Sequence, residues 1–138
     1  MADDAFIRQA AAIPVRNGRL CLVTSRSAKR WIIPKGLIEP GQTAAEAALQ
    51  EAWEEAGLVG RLNPKPVGSF QYAKYGGTCH VLVFVLHVTE VASVWPEQEF
   101  RTRAWLTPEG ALRRIDDPGL SDVLRGALLA ERELLMLP

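Results

Sequence analysis

GLIEPGQTAAEAALQEAWEEAGL, residues Gly36 to Leu58, carries five carboxylates and not one Lys or Arg. Residues three and four apart share a helical face, so Glu51, Glu54 and Glu55 project to one side of any helix formed here. Like charges in that arrangement cost a helix about 0.2–0.5 kcal/mol per pair, which leaves a frustrated acidic patch that a divalent cation would relieve. A solvated acidic face is the competing reading, and the surroundings decide between the two.

Local signals define the element. Pro40-Gly41 marks a tight turn, and Thr43 followed by Glu46 fits a capping box, so the helix is predicted to begin at Thr43. Gly57 is a C-terminal stop after about four turns. On a helical wheel Ala45, Leu49, Ala52, Trp53 and Ala56 gather opposite the glutamates as a packing face, whereas Ala44 and Ala47 fall on the glutamate side and would leave room for a bulky anion.

Upstream, residues 9–15 (QAAAIPV) and 19–24 (RLCLVT) are apolar runs split by Asn17-Gly18, a hairpin signal. A basic loop, SRSAKR, leads to a short strand at Trp31-Ile32-Ile33, stopped by Pro34, and Lys35-Gly36 turns the chain into the acidic stretch. Downstream, Pro66 to Tyr75 reads as a strand, Gly76-Gly77 as a turn, and Thr78 to Val91 as a long central strand buried on both sides. WPEQEFR, residues 95–101, is a polar loop before a short strand at Ala104-Trp105-Leu106. Thr107-Pro108-Glu109 starts a helix. A last helix is predicted from about Leu120 to Leu135, its stripe formed by Leu120, Val123, Leu124, Ala127, Leu128 and Leu134 or Leu135.

The length of 138 residues suits one domain spanning 1–138, and the order of elements fits an α+β layered fold. Sixteen basic residues balance 16 acidic ones, which argues against a general nucleic-acid binder. The opening MADDAFIRQ lacks a basic and apolar leader, and the run Val81 to Leu86 is far short of the roughly 20 residues of a membrane span, so a cytoplasmic protein is expected. Cys21 and Cys79 read as buried free thiols.

The chain resembles the Nudix hydrolase family, whose signature G-x5-E-x7-R-E-U-x-E-E-x-G-U lies on Gly36, Glu51, Glu54, Glu55, Gly57 and Leu58 with its spacing intact over 23 residues. The resemblance implies a Nudix fold, an α/β/α sandwich with a mixed central sheet and a loop-helix-loop box. It also implies metal ligation by Glu51, Glu54 and Glu55 with the Gly36 carbonyl. Mg²⁺, with Mn²⁺ as a substitute, is the expected cofactor. Gln42, Gln50 and Ala52 depart from the pattern, standing where the family has glutamate, arginine and a larger apolar residue. The two glutamines are read as a neutral hydrogen-bonded contact in place of an ion pair.

Wider similarity, carried by RWIIPKG, VFVLHVTEV and RTRAW, resembles the diphosphoinositol polyphosphate and diadenosine polyphosphate phosphohydrolase branch. These pieces place Arg26, Lys29, Arg30 and Lys35 before the helix, with Arg101 and Arg103 after the central strand, where a small-molecule polyphosphate would need cations. Glu51 and Glu54 are the catalytic candidates in the box and Glu99 the general-base candidate in a later loop, with Glu97 second. His80 reads as structural. The expected activity is Mg²⁺-dependent hydrolysis of a pyrophosphate linkage in a nucleoside polyphosphate, dinucleoside polyphosphate or inositol pyrophosphate. The alternative is a catalytically weakened Nudix-fold binding domain, and the protein is expected as a monomer or homodimer.

Overall fold

Asn17 and Gly18 both adopt positive φ, 53° and 74°, the combination a two-residue hairpin turn demands. They join β1 (Ala5–Arg16) to β2 (Arg19–Thr24), with Val15 opposite Leu20 and Arg16 opposite Arg19. The computed structural model describes residues 5–74 and 76–130, and the expected positions Tyr75, Leu134 and Leu135 lie outside them. Then follow β3 (Trp31–Ile32), β4 (Lys35–Leu37), α1 (Ala44–Ala56), β5 (Leu58–Leu62), β6 (Gly68–Lys74) and β7 (Gly77–Val91). The described chain closes with β8 (Arg103–Leu106), α2 (Pro108–Arg114) and α3 (Pro118–Ala130).

The eight strands form one mixed sheet in which β7 runs parallel to β1 and antiparallel to β5 and β6. Val83 to Leu86 of β7 are buried without interruption, as a strand covered on both faces requires. Side chains of β1 alternate: Ala11, Ile13 and Val15 enter a core shared with Ala111 of α2 and Leu120, Leu124 and Ala127 of α3. Ala10 and Ala12 enter the opposite core, against Ala47, Ala48, Ala52 and Ala56 of α1. The expected three-layer α+β architecture is therefore present, with α1 on one face of the sheet and α2 and α3 on the other.

The packing face of α1 differs from the wheel reading. Ala47, Ala48, Ala52 and Ala56 are buried, but Leu49 and Trp53 stay 37% and 38% exposed. The helix lies with its small residues on the small residues of β1, which also buries Glu55 and denies Ala47 any role in making room for a ligand. Two strands escaped the sequence reading. Three-residue β4 pairs with β1 through Gln9↔Leu37, Ala10↔Gly36 and Ala11↔Lys35, and β5 pairs with β7 across a bulge between Val59 and Gly60. Neither carries a run long enough to show a period.

Candidate metal and phosphate site

The acidic helix starts as predicted. Thr43 Oγ1 accepts from the Glu46 N–H at 3.0 Å and Glu46 Oε1 accepts from the Thr43 N–H at 2.8 Å. Its other end is finished by a distant loop. The Gly57 N–H closes the last turn with φ at 66°, while the Glu97 N–H reaches the Glu54 carbonyl at 3.1 Å and the Ala92 N–H the Gly57 carbonyl at 2.9 Å. Trp95 Nε1 donates to the Glu55 carbonyl at 3.0 Å and Arg103 Nη1 to the Ala56 carbonyl at 2.8 Å. The carbonyls a helix leaves open at its C-terminus are thus occupied, and Arg103 supplies the cation that the last turn of α1 lacks.

This docking fixes the 92–101 segment against the acidic helix. Arg101, only 8% exposed, contacts Glu97 Oε1 at 2.9 Å and Glu55 Oε2 at 3.5 Å and donates to the Thr24 carbonyl at 2.9 Å. One guanidinium therefore joins the end of β2, the acidic helix α1 and the loop. Glu55 Oε1 also accepts from the Lys35 N–H at 3.3 Å. Burial pushes the Glu55 carboxyl above its ordinary value, with Arg101 opposing the shift. Glu51 faces it, and burial first, then the charge of Glu55, raise Glu51 to about 8. A Cβ at Gly36 would overlap the Glu51 carboxyl, so glycine at this position lets the β4 backbone lie directly against it.

A cleft of about 480 Å³ opens over this pair. Gly36, Glu51, Glu55 and Glu97 line it together with Arg26, Arg30, Lys35, Arg101 and Lys74, so acidic and basic side chains share one cleft. Lys74 was missed in the sequence because it ends β6, far from both the box and the basic loop. Burial lowers the Lys35 amine from its usual value, and its Nζ lies 5.1 Å from the centre of the Tyr72 ring. The Arg26 guanidinium stacks on Phe100 at 4.7 Å.

Other candidates are placed elsewhere. Lys29 is exposed and does not line the cleft, and Arg103 is held over Trp95 at 3.9 Å as it donates to α1. Glu99 is exposed and outside the cleft lining, because the turns through 95–100 bring Glu97 inward instead. His80 stacks on Phe6 with ring centres 3.9 Å apart. Glu54 does not line the cleft but lies close enough to Glu51 for its charge to help raise that carboxyl, and its Oε2 accepts from Gln50 Nε2 at 2.7 Å.

Among the described residues no three carboxylate, His or Cys side chains already surround a point where an ion could sit. The donor set nevertheless fits Mg²⁺, a hard cation that keeps several waters and uses one or two carboxylates plus phosphate oxygens. Glu51 and Glu55 supply the carboxylates, all-oxygen and mutually repelling when ionised. The folded, metal-free protein keeps a proton that the unfolded chain releases near the ordinary value of 4.5, so stability falls as pH rises from there towards about 8. Chelator-treated protein should melt at a lower temperature at pH 8 than at pH 6, and Mg²⁺ should raise the melting temperature more at pH 8. A melting temperature independent of both would contradict the pairing.

The profile described as NUDIX domain matches residues 6–126. Nudix hydrolase 16, mitochondrial, of Arabidopsis thaliana is 34% identical over 77% of this chain and 63% of its own length. Nudix hydrolase 13, mitochondrial, of the same plant is 35% identical over 68% and 52%. The chain thus spans only about half to just under two-thirds of these relatives. Diphosphoinositol polyphosphate phosphohydrolase 3-beta of Bos taurus is 33% identical over 80% of this chain and 70% of that protein. Among solved structures, the E. coli ORF135 protein superposes with a TM-score of 0.74 at 26% identity over 94% of each chain.

Proposed function

Because the chain belongs to the Nudix family, we propose that it is a Mg²⁺-dependent phosphohydrolase, a single domain, that cleaves a pyrophosphate linkage in a small-molecule polyphosphate. One observation carries this reading: the Glu51–Glu55 pair and a basic wall of Arg26, Arg30, Lys35 and Lys74 share the same cleft. Anions bring their charge to the wall, and the carboxylates meet the phosphates only through a cation.

Glu51, Glu55 and the Gly36 carbonyl, with Glu54 beside them, would hold the metal. When bound, Mg²⁺ neutralises phosphate charge and lowers the pKa of a coordinated water. Arg26, Arg30, Lys35 and Lys74 bind and orient the phosphate chain. Arg101 acts differently, since its contacts with Glu55, Glu97 and Thr24 keep the carboxylates in place. Glu51 suits proton acceptance better than Glu99, because it lines the cleft and Glu99 does not. The free, buried Cys21 and Cys79 support a reducing cytoplasmic setting.

An adjoining cavity favours one substrate class. It is small, about 40 Å³, and shares Arg30, Ile32, Lys35, Tyr72 and Lys74 with the cleft. Beyond them it is lined by Trp31, Phe70 and Leu120, with Asp116 and Asp117. A planar, uncharged base edge suits the apolar walls and the Asp116 carboxylate while its phosphates meet Arg30, Lys35 and Lys74, which line both spaces, whereas an inositol ring phosphorylated all round would also press anions against the apolar walls and Asp116. We therefore favour nucleoside and dinucleoside polyphosphates over inositol pyrophosphates. Hydrolysis of a panel of both classes at equal concentration, with the phosphorylated products separated by ion-exchange chromatography, tests this. The expected result is a kcat/KM at least about tenfold higher for the nucleoside compounds; preference for the inositol compounds would overturn the choice. Binding of every compound with no turnover would instead support a binding module.

A further inference from the structure

Three short hydrogen bonds run from the loop before α1 to its glutamates. The Glu39 N–H donates to Gln42 Oε1 at 3.0 Å, Gln42 Nε2 donates to Gln50 Oε1 at 2.7 Å, and Gln50 Nε2 donates to Glu54 Oε2 at 2.7 Å. A backbone amide at one end can only donate and an ionised carboxylate at the other can only accept, so the two carboxamides between them are fixed in orientation. The contact the sequence suggested between Gln42 and Gln50 is therefore one link of a longer relay. Its target is Glu54 rather than Glu51.

We propose that Gln42 and Gln50 are positioning residues that hold the Glu54 carboxylate for a divalent cation through a neutral relay that works in one direction only. The proposal rests on the reading of Glu54 as a metal ligand. With Oε2 occupied by Gln50, the Glu54 side chain is restrained and its Oε1 is left to bind. Carboxylates that ligate metals are ordinarily steadied by such outer hydrogen bonds, whose loss weakens metal binding by about 10–100-fold.

Direction makes the proposal specific. A carboxylate at position 42 still accepts from the Glu39 N–H but has no proton to donate. Gln50 then stands between two carboxylates with an NH₂ for only one of them, so one of its two links becomes acceptor against acceptor and the hold on Glu54 is broken or loosened. Gln42→Glu alone should therefore harm the site, even though glutamate is the residue of the family pattern. A guanidinium at position 50 donates at both ends, so Gln42→Glu combined with Gln50→Arg should recover what the single change loses.

The test is Mn²⁺ binding, read from the free-ion electron paramagnetic resonance signal in about 0.15 M salt, where added surface charge is screened within about 8 Å. Thermal unfolding checks that each variant is folded. Wild-type protein should bind, Glu54→Gln should bind at least about tenfold more weakly, and Gln42→Ala and Gln42→Glu should each lose about tenfold. The double variant should return to within about threefold of wild type, a non-additive recovery that loss of structure alone would not produce. If wild type binds no Mn²⁺, or Glu54→Gln binds as well as wild type, the metal reading fails and the relay fails with it. If both of those hold as expected but Gln42→Glu binds as tightly as wild type, or the double variant shows no recovery, the relay alone is overturned.

Discussion

Glu51→Gln is expected to lower kcat/KM by about 10³-fold, roughly 4 kcal/mol of transition-state stabilisation, while leaving the protein folded. Glutamine keeps the size and one oxygen of the side chain, so the contact with the Gly36 backbone survives in volume and only the charge is lost. The same change should make the metal-free protein more stable at pH 8. Burial and the neighbouring charge of Glu55 hold the Glu51 carboxyl at about 8 in the fold, and a neutral amide escapes that penalty. Opposite changes in stability and turnover are the signature of a site held under electrostatic strain for function. Kinetics under saturating Mg²⁺ beside melting curves in chelator would show it. Full turnover in the variant would remove Glu51 from the site.

Arg101→Met is expected to destabilise the fold by about 3–5 kcal/mol, because it leaves Glu55, 6% exposed, without its guanidinium partner. The Thr24 carbonyl and Glu97 lose their donors in the same step. A urea titration should show the midpoint fall with little change in slope, and turnover should fall because Glu55 and Glu97 lose the guanidinium that holds them in place. Lysine at this position keeps one charge but not the planar fork, so Arg101→Lys should lie between methionine and wild type. A variant of wild-type stability would show instead that Arg101 is available to substrate, the role its sequence position suggested.

These two residues mark the boundary of what could be read from the chain. Asn17-Gly18, the Thr43–Glu46 capping box and the Gly57 stop are local devices, written within a few residues of where they act. Each appears where the sequence predicts it. The spacing of Glu51 and Glu55 needed only helical geometry. The roles of Trp95, Arg101 and Arg103 depend on a loop docking onto carbonyls and carboxylates some 40 residues earlier, for which no periodicity exists. Leu49 and Trp53 misled for a related reason: the wheel ranks residues by apolarity, whereas the alanines of β1 accept only a close, small-residue face. The basic residues look alike in sequence, but Lys29 is turned out and Arg103 is spent on the helix end.

The cleft joins two carboxylates that repel one another to a group of cations, and we propose that a divalent cation turns this arrangement into a hydrolase. The most direct measurement is the initial rate at which the wild-type protein splits a dinucleoside polyphosphate into two nucleotides, separated by ion-exchange chromatography, as free Mg²⁺ is raised from chelator-controlled zero. Turnover that is absent in chelator, rises to saturation with Mg²⁺ and returns when Mg²⁺ is added back to chelated protein is the predicted result. Equal turnover with and without the cation, or tight substrate binding with none at any concentration, would contradict it.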